Sequence, residues 1–188
     1  MKDSNQILKL IADCKRNNQK AQLKVYELYY KAMFNTAYRI VNDFDDAEDV
    51  MQEAFIKAFD KINSYQSEST YGAWLKKIVV NEALGFLRKN KKFKNVGLEL
   101  LDKDMIEEPT EEIDFSKIQV NNVLKALREI KENYRIIISL YYIEGYDFEE
   151  IQEIMQISYA NARTMLSRAK AKLKQKLVEE YGFSKKHF

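Results

Sequence analysis

The side chains of this chain that could do chemistry are mainly carboxylates and cations, and they do not follow the spacing of a catalytic or metal site. The sequence holds one His, His187, and one Cys, Cys14, and we find no Gly-rich phosphate loop, CxxC pair or nucleophile elbow in it. Its Asp and Glu residues fall on helical patterns or in one acidic stretch rather than in a catalytic cluster. We therefore expect a binding protein, with no enzymatic activity, no cofactor and no metal.

Charge is strongly segregated along the chain, although the formal net charge is only +2. Residues 43–53 contain acids without a base, whereas residues 76–94 contain seven bases and one acid. Residues 99–114 contain eight acids and one Lys, and the C-terminal part is basic again. The acidic stretch also holds the only Pro, Pro109, and has no sustained helical period, which indicates a linker between two domains.

The pattern of apolar residues predicts an all-α fold of two helical domains. The chain has only five Gly and one Pro, which favours long helices and few turns. We predict a four-helix domain over residues 1–93, an acidic linker over 94–116 and a helix-turn-helix domain over 117–188. No apolar run is long enough to span a bilayer, and the N-terminus is too polar for a signal peptide. We expect a soluble, cytoplasmic protein.

Three features predict the helices of the N-terminal domain. Ser4 is expected to cap the first helix, and Asp45 with Glu48 is expected to form a capping box at the third. Helical spacing indicates that the first helix buries Ile7, Leu8, Ile11 and Cys14. The outward side of the third helix is expected to carry Asp49, Gln52, Glu53 and Lys57.

The C-terminal pattern predicts a short helix, a tight turn and a second helix. Residues 136–143 are apolar enough for a buried helix that ends at Gly145, and Asp147 with Glu150 predicts a capping box for the helix Phe148–Met155. Gln156 and Ile157 are expected to form the tight turn, and Ser158 is expected to cap the last helix. The inward stripe of that helix is predicted to be Ala162, Met165, Ala169, Leu173 and Leu177.

The outward side of the last helix is polar and basic, as a helix in the DNA major groove would be. Its first turns, which would reach base edges, carry Ser158, Tyr159, Asn161, Arg163, Thr164 and Ser167. The cations that follow, such as Arg168 and Lys170, suit phosphate contacts. The alternative is an ordinary helical hairpin with a solvated basic face, since cations also suit the end of a helix.

Two stretches resemble a known family. Residues 46–55, DAEDVMQEAF, with residues 69–75, STYGAWL, and Asn81 resemble the second region of the sigma-70 family. Residues 142–169 resemble its fourth region, while the third region is replaced by the acidic linker. This two-domain form is similar to the extracytoplasmic-function (ECF) group of sigma factors. The resemblance implies a bacterial initiation factor that directs core RNA polymerase to promoters.

The resemblance also implies roles for individual residues. Asp49, Gln52 and Glu53 match the positions that dock on a coiled coil of the largest polymerase subunit. The positions that open and read the −10 promoter element match Asn63, Tyr65, Ser67, Tyr71, Lys76, Lys77, Asn81, Arg88 and Lys89. The positions that read the −35 element match Ser158, Tyr159, Asn161, Arg163, Thr164, Ser167, Arg168 and Lys170. The implied partners are core RNA polymerase, promoter DNA and an anti-sigma protein, with a monomer when free.

Several alternatives stay open at this point. The acids near Asp49 could form a solvated face, and Tyr65 and Tyr71 could pack at a helix end rather than stack on a base. Trp74 is expected to be a core anchor because it begins an apolar stripe. For the whole chain, the alternative is a helix-turn-helix regulator that binds duplex DNA alone, usually as a dimer on a palindrome.

Overall fold

The computed structural model describes residues 2–67, 69–93 and 120–181. All regular elements in these ranges are helical, as the sequence predicts. The chain divides into two compact units, residues 1–96 and 97–188. The predicted linker, residues 94–116, lies outside the described residues, as does His187.

The first unit contains the four predicted helices. They are α1 (Lys2–Lys15), α2 (Gln19–Val41), α3 (Phe44–Asp60) and α4 (Tyr71–Phe93), with a short 3₁₀ turn, Ile62–Ser64, between α3 and α4. Helices α2, α3 and α4 pack against one another, and α1 packs on α2 and on the 3₁₀ turn. The long α4 therefore shares its core with the two helices that precede it.

Asparagine and aspartate side chains set the helix ends of the first unit. Asn18 Oδ1 accepts a 3.2 Å hydrogen bond from Ala21 N at the start of α2. Asn42 ends that helix at φ 62°, and its N–H donates to Tyr38 O at 2.9 Å. Asn tolerates the left-handed region better than most residues because its short polar side chain can bond locally.

Two predicted caps are wrong. Ser4 lies inside α1, which begins at Lys2. Helix α3 is capped by Asp43, not Asp45, and Asp43 Oδ1 accepts a 3.0 Å hydrogen bond from Asp46 N. The physical reason is that Asp43 keeps the extended backbone of a cap, at φ −131°, whereas Asp45 already lies in the first helical turn.

The core of the first unit is apolar and closely packed. Ile11 and Cys14 of α1 are buried as predicted, but Leu8 is 45% exposed, so its predicted burial is wrong. Leu8 instead lines an open groove of about 890 Å³, together with Leu28 and Tyr29 of α2. The third helix buries residues on a broad face, namely Ala47, Val50, Met51, Ala54, Phe55 and Ala58.

The second unit contains the predicted helix-turn-helix and two helices before it. Its elements are α5 (Val120–Glu129), α6 (Glu132–Ile138), a π-helical turn (Ser139–Glu144) that continues α6, α7 (Phe148–Met155) and α8 (Tyr159–Tyr181). Helix α8 packs against α5, α6 and α7. The earlier helices therefore hold α8 along one side.

The ends of the helix-turn-helix elements follow the sequence prediction. Gly145 takes φ 80° after the π-helical turn. Asp147 Oδ1 accepts from Glu150 N at 2.8 Å, while Asp147 N donates to Glu150 Oε2 at 3.1 Å. Gln156 lies at φ 58°, and Ser158 Oγ accepts from Asn161 N at 3.2 Å. The capping box, the tight turn and the cap of α8 are confirmed, and the structure adds that the turn residue Gln156 is left-handed.

Burial differs from the prediction at two places in the second unit. The inward stripe of α8 contains Leu166, which is 5% exposed, whereas Met165 is only half-buried. The predicted buried run, residues 136–143, is continuously buried only as far as Leu140. Tyr142 and Ile143 are 46% and 42% exposed. Those two side chains lie in the π-helical turn, at the end of the run that packs on α8.

Candidate nucleic-acid and protein interfaces

The outward face of α3 carries the predicted carboxylate cluster. Asp49, Gln52 and Glu53 are all exposed. Their spacing of three and four residues places them side by side on one helix face. Asp45 and Asp46 lie in the first turn of the same helix, where acids interact favourably with the helix dipole. The face is therefore negative and open to solvent.

One cation modifies this acidic face. Lys57 Nζ lies 3.3 Å from Glu53 Oε1 and 2.6 Å from Glu82 Oε2 of α4. The hydrogen bond with Glu82 is the main reason why the pKa of Lys57 is raised, and the bond with Glu53 adds to it. Sequence reasoning placed Lys57 on this face but missed Glu82, because the pair is separated by 25 residues.

The loop between α3 and α4 is held by polar contacts to its main chain. Tyr65 Oη donates a 2.8 Å hydrogen bond to Ser69 O. Lys15 Nζ of α1 donates a 2.9 Å hydrogen bond to Tyr65 O. The exposed side chains of this segment include the predicted Asn63 and Ser67, and Ser67 takes φ 61°. The described part of the loop therefore presents small polar groups, and two of its main-chain oxygens, Tyr65 O and Ser69 O, accept hydrogen bonds from side chains.

The aromatic residues of this region pack together. Tyr65 and Tyr71 are only 5% and 2% exposed. Their rings lie 5.5 Å and 5.4 Å from that of the half-buried Trp74. Burial raises the pKa of Tyr71. This placement supports helix-end packing over stacking on a base for both tyrosines, since neither ring presents a free face to solvent.

The cationic face of α4 starts beyond this cluster. Lys77, Asn81 and Arg88 are exposed, and their helical spacing places them in one stripe along the helix. Lys89 is also exposed but lies about a quarter-turn away, and Lys76 is half-buried. The predicted residues of α4 thus divide into one continuous stripe and two flanking cations.

Two stripes of predicted residues lie outside the buried stripe of α8. Asn161, Arg163 and Thr164 are exposed, whereas Ser167, Arg168 and Lys170 are half-buried. Asn161, Thr164 and Arg168 lie opposite the buried stripe, by the helical period. Arg163, Ser167 and Lys170 form a neighbouring stripe on the flank of the helix. The other two predicted residues, Ser158 and Tyr159, lie at the start of the helix. Ser158 is engaged as the cap of α8, and the 40% exposed Tyr159 ring contacts Phe148 at 5.7 Å between centroids.

One lysine of α8 has a structural role. Lys176 Nζ lies 3.0 Å from Glu129 Oε2 of α5 and also contacts Glu180 one turn later. These contacts raise the pKa of Lys176 and lower that of Glu129. The pair ties α8 to α5, so the cations nearer the start of α8 are the better candidates for nucleic-acid contact.

The described ranges contain no further chemical centre. Within them, no group of three or more His, Cys, Asp or Glu side chains could hold a metal ion. Across the same ranges, no helix has the length and apolar character to cross a membrane. What remains is an acidic face on α3 and polar, cationic surfaces on α4 and α8.

Comparison with known proteins relates both units to one family. Residues 25–93 match Sigma-70 region 2, and residues 121–173 match Sigma-70, region 4. The RNA polymerase sigma factor SigV of Bacillus subtilis (strain 168) is 30% identical over 149 residues, which cover 78% of this chain and 85% of SigV. The ECF RNA polymerase sigma factor SigM of the same strain is 27% identical over 154 residues, or 80% of this chain and 91% of SigM.

A solved structure has the same fold. It is the co-crystal structure of the sigma factor RpoE in complex with the anti-sigma factor NepR from Bartonella quintana. The similarity has a TM-score of 0.57 with 23% identity, and it covers 84% of this chain and 96% of that chain.

An acidic helix face and a basic helix-turn-helix, in two units that match regions 2 and 4, are the features of a transcription initiation factor. The chain belongs to the sigma-70 family of RNA polymerase sigma factors, in its ECF group. The match of residues 25–93 to region 2 argues against a helix-turn-helix regulator with an unrelated N-terminal domain.

Proposed function

We propose that this sigma factor binds core RNA polymerase through the carboxylate face of α3, formed by Asp49, Gln52 and Glu53. The observation that carries this proposal is that all three side chains are exposed on one face of a single helix. A carboxylate face suits a basic coiled coil because charge-assisted hydrogen bonds are roughly twice as strong as neutral ones. The α3 face is distinct from the cationic stripe of α4, so polymerase and DNA need not compete for it.

The −10 element is proposed to meet the loop between α3 and α4 and the stripe of α4. Opening a duplex requires contacts to an unstacked base and to the backbone on either side of it. Asn63, Ser67 and Asn81 offer exposed polar groups, and Lys77 with Arg88 offers cations along the same helix. Lys76 and Lys89 extend the cationic surface on either side. Because Tyr65 and Tyr71 are buried, they support the loop by packing and do not contact the DNA.

The −35 element is proposed to be read by the N-terminal half of α8. Asn161, Arg163 and Thr164 are exposed on the first turns, where a recognition helix reaches base edges. Tyr159 and Ser167 border these residues, while Arg168 and Lys170 follow at the positions that suit phosphate contacts. Ser158 contributes by capping the helix, so its hydroxyl is less available to DNA.

The factor is proposed to act as a cytoplasmic monomer that an anti-sigma protein restrains until release. The solved structure that shares the fold of this chain is a complex of the sigma factor RpoE with the anti-sigma factor NepR, and this supports the proposal. An anti-sigma protein that covered the α3 face would exclude polymerase by direct competition.

Charge reversal tests the docking face. In the full-length chain, Asp49→Lys and Glu53→Lys should each weaken binding to purified core polymerase at least about tenfold, because attraction becomes repulsion. Glu27→Lys, an equal charge change on an exposed position of α2, is the matched control. Equal thermal unfolding of the variants confirms an intact fold. Unchanged affinity in both α3 variants would refute the docking face.

A further inference from the structure

Lys57 lies between carboxylates of two different helices. Its Nζ is 2.6 Å from Glu82 Oε2 on α4 and 3.3 Å from Glu53 Oε1, one turn earlier on α3. The shorter contact is a charge-assisted hydrogen bond, whereas the longer one is a looser ion pair. Glu82 is also the principal cause of the raised pKa of Lys57. The ammonium group is thus held more firmly by α4 than by its own helix.

The exposed fractions of the three side chains also make the contact with Glu82 the stronger of the two. Glu82 is 26% exposed, Lys57 39% and Glu53 53%. The contact with Glu82 is therefore the less screened by water and salt, and that with Glu53 is the more easily exchanged. A cation arriving from a partner can take the place of Lys57 at Glu53 while Lys57 stays bound to Glu82.

We propose that Glu82 is a positioning residue for polymerase docking: it takes the shorter contact with the Lys57 ammonium, so that Glu53 keeps only the longer ion pair and its carboxylate stays available to a cation of the partner. The inference rests on the proposed function, in which Glu53 docks on polymerase. It follows that α4, the helix proposed to contact the promoter, also sets the charge of the polymerase face on α3. Without Glu82, Lys57 would move closer to Glu53 than the present 3.3 Å and would compete more strongly with a cation of the partner.

A double-mutant cycle on the full-length chain tests the inference. Glu82→Gln should raise the Kd for purified core polymerase by about two- to fivefold at low salt, the range expected of partly exposed ion pairs. Lys57→Met removes the competing cation, so Glu82→Gln should have no further effect in that background. The difference should shrink as salt is raised. Glu27→Gln, which removes one charge from α2, is the control and should leave the Kd unchanged.

The outcomes are separable. If the wild-type chain binds polymerase and Glu82→Gln leaves the Kd unchanged, this inference is wrong while the docking face stands. If Glu82→Gln weakens binding by the same factor with and without Lys57, the effect comes from helix packing and the inference is again wrong. If the wild-type chain does not bind polymerase, both the proposed function and this inference are wrong.

Discussion

The rings of Tyr65 and Tyr71 meet edge to face, with centroids 5.4 Å apart and planes at 87°. Their hydroxyl groups are in different states. Tyr65 Oη donates to Ser69 O, whereas the buried Tyr71 Oη has no hydrogen-bond partner among the described residues. The two tyrosines support the same loop, but only one of them uses its hydroxyl to do so.

This difference predicts opposite effects of removing the two hydroxyls. Tyr71→Phe should leave the free energy of unfolding unchanged or raise it by up to about 1 kcal/mol, because a buried oxygen without a partner is removed. Tyr65→Phe should lower it by about 1 kcal/mol, because a hydrogen bond is lost and Ser69 O is left without its donor. Urea unfolding followed by the fluorescence of Trp74, the only tryptophan, reports on the first unit. A stability loss for Tyr71→Phe as large as that for Tyr65→Phe would contradict this account.

The buried tyrosines also predict a loss of stability in alkali. Burial raises the pKa of Tyr146 from 10.0 to about 12, with Glu144 and Glu150 adding to the shift. Below pH of about 10 the group is protonated in both states, so it adds no pH dependence. Between about pH 10 and 12 the unfolded chain ionises first, and the free energy of unfolding should fall. Circular dichroism during urea unfolding at several pH values measures this, and Tyr146→Phe should reduce the slope. An undiminished slope in that variant would assign the effect to other groups.

The turn of the helix-turn-helix contains backbone strain that a single substitution can remove. Gln156 takes φ 58°, a conformation that costs an L-residue with a Cβ about 1–2 kcal/mol. Gln156→Gly should therefore raise the free energy of unfolding of the second unit by about 1 kcal/mol. Gln152→Gly, in the helical part of α7, should lower it by a similar amount. Circular dichroism follows both changes, while Trp74 fluorescence should stay constant. Destabilisation by Gln156→Gly would mean that the Gln side chain contributes more than its backbone strain.

The two kinds of contact proposed for α8 predict different mutational signatures. Arg163→Ala should weaken initiation from the preferred −35 sequence by about 1–3 kcal/mol and relax the preference at one position. Lys170→Ala should weaken binding to all promoters alike and lower the dependence of log affinity on log salt by about one unit. Competition between −35 variants bound by the holoenzyme distinguishes the two. An unchanged −35 preference in Arg163→Ala would remove that residue from the recognition surface.

Interactions within a few residues could be predicted from the sequence, whereas interactions between helices could not. The Asp147–Glu150 capping box follows from local residue types, so it was predictable. The left-handed backbone of Gln156 has no such local signal, because Gln does not favour positive φ. The contacts Lys57–Glu82 and Lys15–Tyr65 join residues 25 and 50 positions apart, and no local pattern indicates them. Where two neighbouring residues both fitted a local pattern, the sequence could not show which of them the folded chain would use.

Two errors of the sequence prediction show how the folded structure selects between two residues that both fit a local pattern. Met165 and Leu166 both fit a helical spacing with Ala162 and Ala169, and the helices packed on α8 selected Leu166. Asp43 and Asp45 both could cap α3, and the extended backbone at Asp43 selected that residue. The candidate site residues were predictable as surface groups, but the burial of Tyr65 and Tyr71 depends on packing against Trp74 and α2.

The most direct test is run-off transcription with purified core polymerase and a library of promoter fragments, with and without this chain. The account predicts that adding the chain produces transcripts from a defined subset of fragments that share −10 and −35 sequences, and that the chain alone binds those duplexes poorly. Absence of any new transcript, together with tight binding of the chain alone to palindromic duplexes, would contradict it.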